Sequence, residues 1–156
     1  MIREATEDDL KPLAELYKQF MIYHNKLDPQ SYKVPDDIAC EEKMKGFIED
    51  PRFNLFRVIC HETDNIIDGF AVYILLKGHS SEDDPNGFIS INNLFVAENA
   101  RRKGIGTELI NTIGKLAKEK YCNSFTIDVN LNNNIARKFY EKMGMIPISM
   151  HMEKRL

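Results

Sequence analysis

Arg101, Arg102 and Lys103 run directly into Gly104-Ile105-Gly106-Thr107, between an apolar run from Phe88 to Val96 and an amphipathic helical pattern. Residues of these types at this spacing suit the binding of an anion. The glycines let backbone N–H groups approach it, three cations flank it, and the following helix start offers unpaired donors and a positive dipole end. A diphosphate-bearing cofactor fits such a turn. A P-loop is excluded, because Gly104 and Gly106 stand two apart and no Gly-Lys-Ser/Thr follows. A dinucleotide fingerprint fits poorly: Leu109 stands where its third glycine belongs, and the motif should open a fold rather than follow several strands. What remains is R-x-x-G-x-G at a strand-to-helix turn.

The elements that must position this turn follow from periodicity. Met1 to Ala5 can form a strand, and Thr6 with Asp9 reads as a capping box that starts a helix. Leu10, Leu13, Ala14, Tyr17, Phe20 and Met21 share one helical face, and the pattern ends near His24 and Asn25. Lys26 to Asp36, with two prolines, reads as loop; Asp36 or Asp37 then caps a second helix to about Ile48, closed by Pro51. Asn54–His61 and Ile66–Lys77 read as strands paired antiparallel across Glu62-Thr63-Asp64-Asn65, and Gly78 to Gly87 as a polar loop into the strand Phe88–Val96. Ile105, Leu109, Ile113, Leu116 and Ala117 form the stripe of the next helix. Phe125–Val129 alternates as a strand, Asn133–Met143 reads as a helix, and Pro147–Leu156 as a last strand. The fold class is α/β (α+β): a mixed, mostly antiparallel sheet flanked by helices in the order β-α-α-β-β-β-α-β-α-β.

With 156 residues, 43% of them hydrophobic, the chain has the material for one core, so a single domain is expected over 1–156. Three well-separated cysteines, none in a C-x-x-C pair, point neither to a disulfide framework nor to zinc, and no metal is expected. No basic start with a long apolar run is present, so the expectation is a cytoplasmic protein without membrane association. A net charge of −3 argues against nucleic acid as a partner. The charge is divided unevenly: Met1 to Ala100 carries −9 and Arg101 to Leu156 carries +6. That division suits a polyanionic cofactor at the basic end and a cationic second substrate at the acidic one.

Taken together, three ordered motifs resemble the GCN5-related N-acetyltransferase (GNAT) family. The turn from Arg101 matches its Q/R-x-x-G-x-G/A segment. Asn133-x-x-Ala136-x-x-Phe139-Tyr140-Glu141-Lys142-x-Gly144 looks like its later helix, and Ile2-Arg3-x-Ala5-Thr6-x-x-Asp9-Leu10 is similar to its opening. The resemblance implies acetyl-CoA as cofactor and acetyl transfer to a primary amine, by direct attack in a ternary complex. It implies that the backbone of Leu94, Phe95 and Val96 binds the pantetheine arm, with the N–H of Phe95 or Val96 polarising the thioester carbonyl. It implies further that Arg101, Arg102, Lys103, Gly104, Ile105, Gly106 and Thr107 surround the pyrophosphate, that Asn133 contacts the cofactor arm and that Tyr140 protonates the departing thiolate. Homodimerisation is common in the family. Many members carry a glutamate where this chain has Asn92 and Asn93, and an amide cannot accept a proton at neutral pH. Asp128, His24, Asp28 or a water chain stand as alternatives for that role. The acceptor, a small cationic amine or a protein lysine or N-terminus, would be met by Asp28, Asp36, Asp37, Glu82, Asp83 and Asp84, with Tyr23, His24 and Tyr32 adding aromatic contacts. A catalytically silent acyl-CoA-binding regulator is the competing expectation.

Overall fold

A computed structural model describes residues 1–49, 55–76 and 81–154. Strand β1 (Ile2–Glu4) leads into the Thr6 capping box, in which the backbone N–H of Thr6 donates to Asp9 Oδ2 at 2.8 Å. The first turn after that cap is 3-10 (Glu7–Asp9), so helix α1 occupies Leu10–Leu27. Arg3 locks this corner: its guanidinium donates to both Asp9 oxygens at 2.7 and 2.8 Å and to Glu62 at 2.7 and 2.9 Å. Helix α2 (Asp37–Ile48) is capped by Asp36, which accepts from the Ala39 N–H at 2.8 Å.

Strands β2 (Phe56–Thr63), β3 (Ile66–Leu76), β4 (Gly87–Val96) and β5 (Cys122–Ile127) extend the sheet in the order β1-β2-β3-β4-β5. Every junction is antiparallel except the parallel β4–β5 pair. β2 runs two residues past His61 because the β2–β3 turn is tight: Asp64 and Asn65 both take positive φ, 51° and 63°, the geometry whose twist matches a hairpin. The predicted ends of these strands at Asn54 and Lys77, and Gly78 to Ser80 of the predicted loop, lie outside the described residues. Helix α3 (Ile105–Glu119) buries the stripe led by Leu109 and Ile113. Tyr121 leaves it at φ 55°, and β5 therefore begins at Cys122, three residues ahead of the alternation at Phe125. Helix α4 is Asn134–Lys142.

The two faces of the sheet are covered differently. Neighbouring residues of a strand point to opposite faces. A Cβ on Gly69 would meet Ile105 and Leu109 of α3, whereas the adjacent Phe70 packs on Phe95, whose ring meets Phe20 of α1. Helix α3 thus lies on one face and α1 on the other.

The last predicted strand does not form. Residues 147–154 carry no strand, and Ile148, Met150 and Met152 are 74%, 69% and 84% exposed, as is Ile146 at 77%. The alternation is present, but no surface of the described chain faces it, and a pattern of period two makes a strand only where a ladder can be completed.

Candidate active site

Strands β4 and β5 part half-way along. Their pairing ends at Ile91 opposite Ile127, while β4 continues against β3 up to Val96 opposite Gly69. At the parting point the β3–β4 register steps from Tyr73–Ile91 to Val72–Asn93, leaving Asn92 as the extra residue of a bulge. The Ala97 N–H donates across to Asp68 O at 2.8 Å. Alternation along the ladder then turns the Leu94 and Val96 N–H groups toward the gap and the Phe95 N–H toward β3. Of the two amides that the sequence left open as carbonyl donors, the geometry favours Val96.

At the top of the gap the turn into α3 forms a concavity of the kind that can bind an anion. Arg102 takes φ 62° and Gly104 φ 90°, left-handed conformations that converge successive N–H groups. The Glu108 N–H donates to Gly104 O at 3.0 Å, so the N–H groups of Ile105 to Thr107 precede the helical ladder and have no carbonyl within it. Arg102 and Lys103 are exposed beside them. Ile105 contributes backbone only, since its side chain is 4% exposed in the core. Gly106 serves close packing, because a Cβ there would lie 3.3 Å from the Phe139 ring of α4.

Arg101 is placed differently from its neighbours. Its Nε donates to Val96 O at 3.1 Å, and its guanidinium carbon lies 5.0 Å from the Tyr23 ring centroid and 5.3 Å from that of Phe95. A guanidinium stacked between aromatic faces is held by their quadrupoles and turned from the phosphate turn toward α1. The guanidinium is committed there, in keeping with the resemblance, which implies a backbone role at the pyrophosphate for Arg101.

Helix α4 brings two buried polar residues to one side, Asn133 at 6% and Tyr140 at 8% exposure. Asn133 caps the helix: its Oδ1 accepts from the Ala136 N–H and from the Tyr23 hydroxyl, both at 3.1 Å. That leaves the side-chain NH2 as the part of Asn133 open to a cofactor. The Tyr140 hydroxyl has no hydrogen-bond partner among the described residues, and burial pushes its pKa well above the ordinary phenol value. It is a neutral proton donor with its donor unspent.

The candidate bases separate. His24 is half-buried among the rings of Phe20, Tyr23 and Tyr32, at centroid distances of 4.3, 5.7 and 4.8 Å. Its Nδ1 is a buried side-chain atom without a hydrogen-bond partner among the described residues, and desolvation lowers its pKa. It is neutral at pH 7, with a nitrogen in reserve. Asp28 accepts from the Ser31 N–H at 3.2 Å in the turn after α1. Asp128 is exposed just beyond β5, and Asn92 is exposed at the bulge. Two of the acidic residues assigned to an acceptor have structural tasks, Asp36 as a cap and Asp37 in an ion pair with Lys18. Glu82, Asp83 and Asp84 are exposed in their loop. The three cysteines are buried, and desolvation raises the Cys60 thiol to about 11, which leaves it inert as a nucleophile.

An open cavity of about 910 Å³ adjoins the turn at Lys103, between the start of α1 and the β2–β3 turn. Its lining carries seven carboxylates, among them Asp8, Glu15, Asp64 and Glu98, against Arg3 and Lys103, a balance that repels a diphosphate. The gap between β4 and β5, rather than this cavity, suits the cofactor.

A family model for the acetyltransferase (GNAT) family matches residues 12–145. The chain belongs to the GNAT family. Over 66 residues it is 35% identical to the uncharacterized N-acetyltransferase YobR of Bacillus subtilis (strain 168), covering 42% of this chain and 27% of YobR. The chain spans less than a third of the curated relatives it matches. A mutant BH1408 protein from Bacillus halodurans superposes with a TM-score of 0.87 at 23% identity, covering 100% of this chain and 99% of the other. The aminoglycoside N-acetyltransferase AAC(6')-Iy, solved in complex with CoA, superposes with a TM-score of 0.74 at 18% identity, covering 100% and 93%. Both likenesses are of fold. Among the described residues no helix is long and apolar enough to cross a membrane, and no cluster of His, Cys, Asp and Glu is placed to hold a metal. Sequence reasoning treated Tyr23 only as an aromatic contact; its distance of 110 residues from Asn133 leaves no local signal for the bond they make.

Proposed function

We propose that this chain is an acetyl-CoA-dependent N-acetyltransferase that transfers acetyl to a primary amine by direct attack. The observation that carries the reading is the parting of β4 and β5, which opens two strand amides beside a turn of converging N–H groups, in a GNAT chain whose α4 carries a buried, unspent Tyr140 hydroxyl. These residues fit coenzyme A: a concavity of N–H groups for the diphosphate and open strand backbone for an amide-bearing arm. Acetyl-CoA supplies an acetyl thioester, whose transfer gives an amide and a free thiol. The Val96 N–H supports the charge that grows on the carbonyl oxygen, and Tyr140 donates its proton to the leaving sulfur. The proton lost by the amine passes to His24, Asp28 or Asp128, or through a water chain to solvent; His24 is the uncharged one of the three side chains. The acidic first 100 residues favour a cationic acceptor, a small amine or a protein lysine or N-terminus.

The test is acceptor-dependent release of CoA thiol across polyamines, amino acids, aminoglycosides and lysine peptides, in wild type and Tyr140→Phe. Tyr140→Phe should lower kcat about 100-fold at unchanged acetyl-CoA affinity. An unchanged kcat would remove Tyr140 from the chemistry. The second reading, a silent acyl-CoA-binding regulator, draws on the amides Asn92 and Asn93 at the bulge; it expects tight acetyl-CoA binding and no release with any acceptor.

A further inference from the structure

We infer that Tyr23 is a positioning residue: its bond to Asn133 sets the rotation of α4 and thereby the placement of the Tyr140 hydroxyl, an inference that rests on the acetyl-transfer reading above. Tyr23 is held at both ends. Its ring carries the Arg101 guanidinium at 5.0 Å, and Arg101 is itself anchored on Val96 O at 3.1 Å. Its hydroxyl donates to Asn133 Oδ1 at 3.1 Å, the atom that also caps α4. A second tie runs beside it, from Asn132 Nδ2 to Leu27 O at 3.3 Å. The end of α1 thus joins Arg101, at the start of the turn, to the cap of the helix that bears the proposed proton donor.

Helix geometry makes this join matter to Tyr140. Tyr140 lies seven positions after Asn133, close to two full turns, and both are buried on the same inward side. Side chains reach about 5–6 Å from the helix axis, and a rotation of roughly 10° would move them by about 1 Å. Displacements of that size cost up to about 100-fold in rate when a reacting group is involved. Phe139, whose ring tip lies against Gly106 so closely that a Cβ there would meet it at 3.3 Å, limits the approach of α4 through non-directional contact; the hydrogen bond at Asn133 is directional.

The experiment uses the full chain with Tyr23→Phe, which keeps the ring for Arg101 and deletes the hydroxyl. On an acceptor turned over by wild type, kcat should fall about 10- to 100-fold while acetyl-CoA affinity stays within about twofold. In a Tyr140→Phe background the same substitution should cause no further fall, because its effect passes through Tyr140. Asn133→Ser, whose shorter side chain can cap Ala136 but does not reach Tyr23, should reproduce the fall in kcat, and any loss of acetyl-CoA affinity it adds belongs to the missing side-chain NH2. Unchanged kcat, or an equal fall in both backgrounds, overturns the inference. Should wild type turn over no acceptor, the functional reading fails, and the 19F resonance of fluorotyrosine at position 140 decides the positioning role separately. A shift of that resonance in Tyr23→Phe sustains it, and an unmoved resonance overturns it.

Discussion

Asp9→Asn measures what the corner at the start of α1 contributes. The Arg3 guanidinium, followed by the Thr6 backbone and hydroxyl, holds the Asp9 carboxyl down to about 2 from 3.8, against a desolvation that acts in the opposite sense. The side chain is 9% exposed, so solvent screening takes little from the interaction. The difference between those two values corresponds to about 2 kcal/mol of stability. Because the folded-state value is the depressed one, that stability is fully present above pH 3.8 and is lost as pH falls from there toward 2. The asparagine variant should therefore unfold about 2 kcal/mol more easily near neutrality, a loss of about 4–8 °C in Tm for a chain of this size. Urea titrations at several pH values between about 7 and 2.5 would follow the two proteins. Their curves should converge in acid, where wild-type Asp9 becomes protonated. A penalty as large at about pH 2.5 as at pH 7, or none at pH 7, would refute the ion-pair reasoning.

Three further substitutions probe the site from other directions. Gly69→Ala places a methyl 3.0 Å from Ile105 Cγ2 and 3.3 Å from the Phe95 carbonyl, so calorimetry should show a loss of about 1–3 kcal/mol, with weaker CoA binding as the start of α3 is pushed off β3. Arg102→Gly relieves a left-handed non-glycine residue at φ 62° and should raise stability by about 1 kcal/mol. The same variant should lose CoA affinity through the missing charge, and isothermal titration should find that loss shrinking at high salt. Burial lowers the pKa of His24 below 6.5, so the unfolded state takes up the proton first and stability falls on acidification. Thermal scans from about pH 8 to about pH 5.5 should show a steeper decline in wild type than in His24→Gln.

The strand-to-helix turn was legible because its information is local: two glycines and the stripe of Ile105, Leu109 and Ile113 lie within one stretch, and the chain folds them as read. The hairpin at Asp64-Asn65 was legible for the same reason. What escaped depends on distant partners. Nothing near Arg101 announces that its guanidinium turns to Tyr23, since α1 is far away in sequence. Asn133 could be read as a helix cap or as a ligand contact, and only the arrival of Tyr23 shows its oxygen shared between two donors inside the protein. The Ile146 to Met152 alternation failed in the opposite way, supplying a local pattern without a facing ladder.

The end of β4–β5 pairing at Ile91 also predicts where the molecule opens locally. β1 to β4 form an antiparallel ladder, whereas β5 and α4 join it through a parallel contact that ends at Ile91, the packing of Phe125 at Gly114 of α3, and the side-chain ties at Asn132, Asn133 and Phe139. Opening the segment from 122 to 143 breaks fewer backbone bonds than unfolding the β2–β3 ladder, so its amides exchange at lower cost than the global transition. A ligand laid along the gap touches both parts at once. Coenzyme A would then act as a stitch across a seam in the sheet, slowing amide exchange in α4 far more than in β2 and β3, and making the last third of the chain most vulnerable to proteolysis when the ligand is scarce.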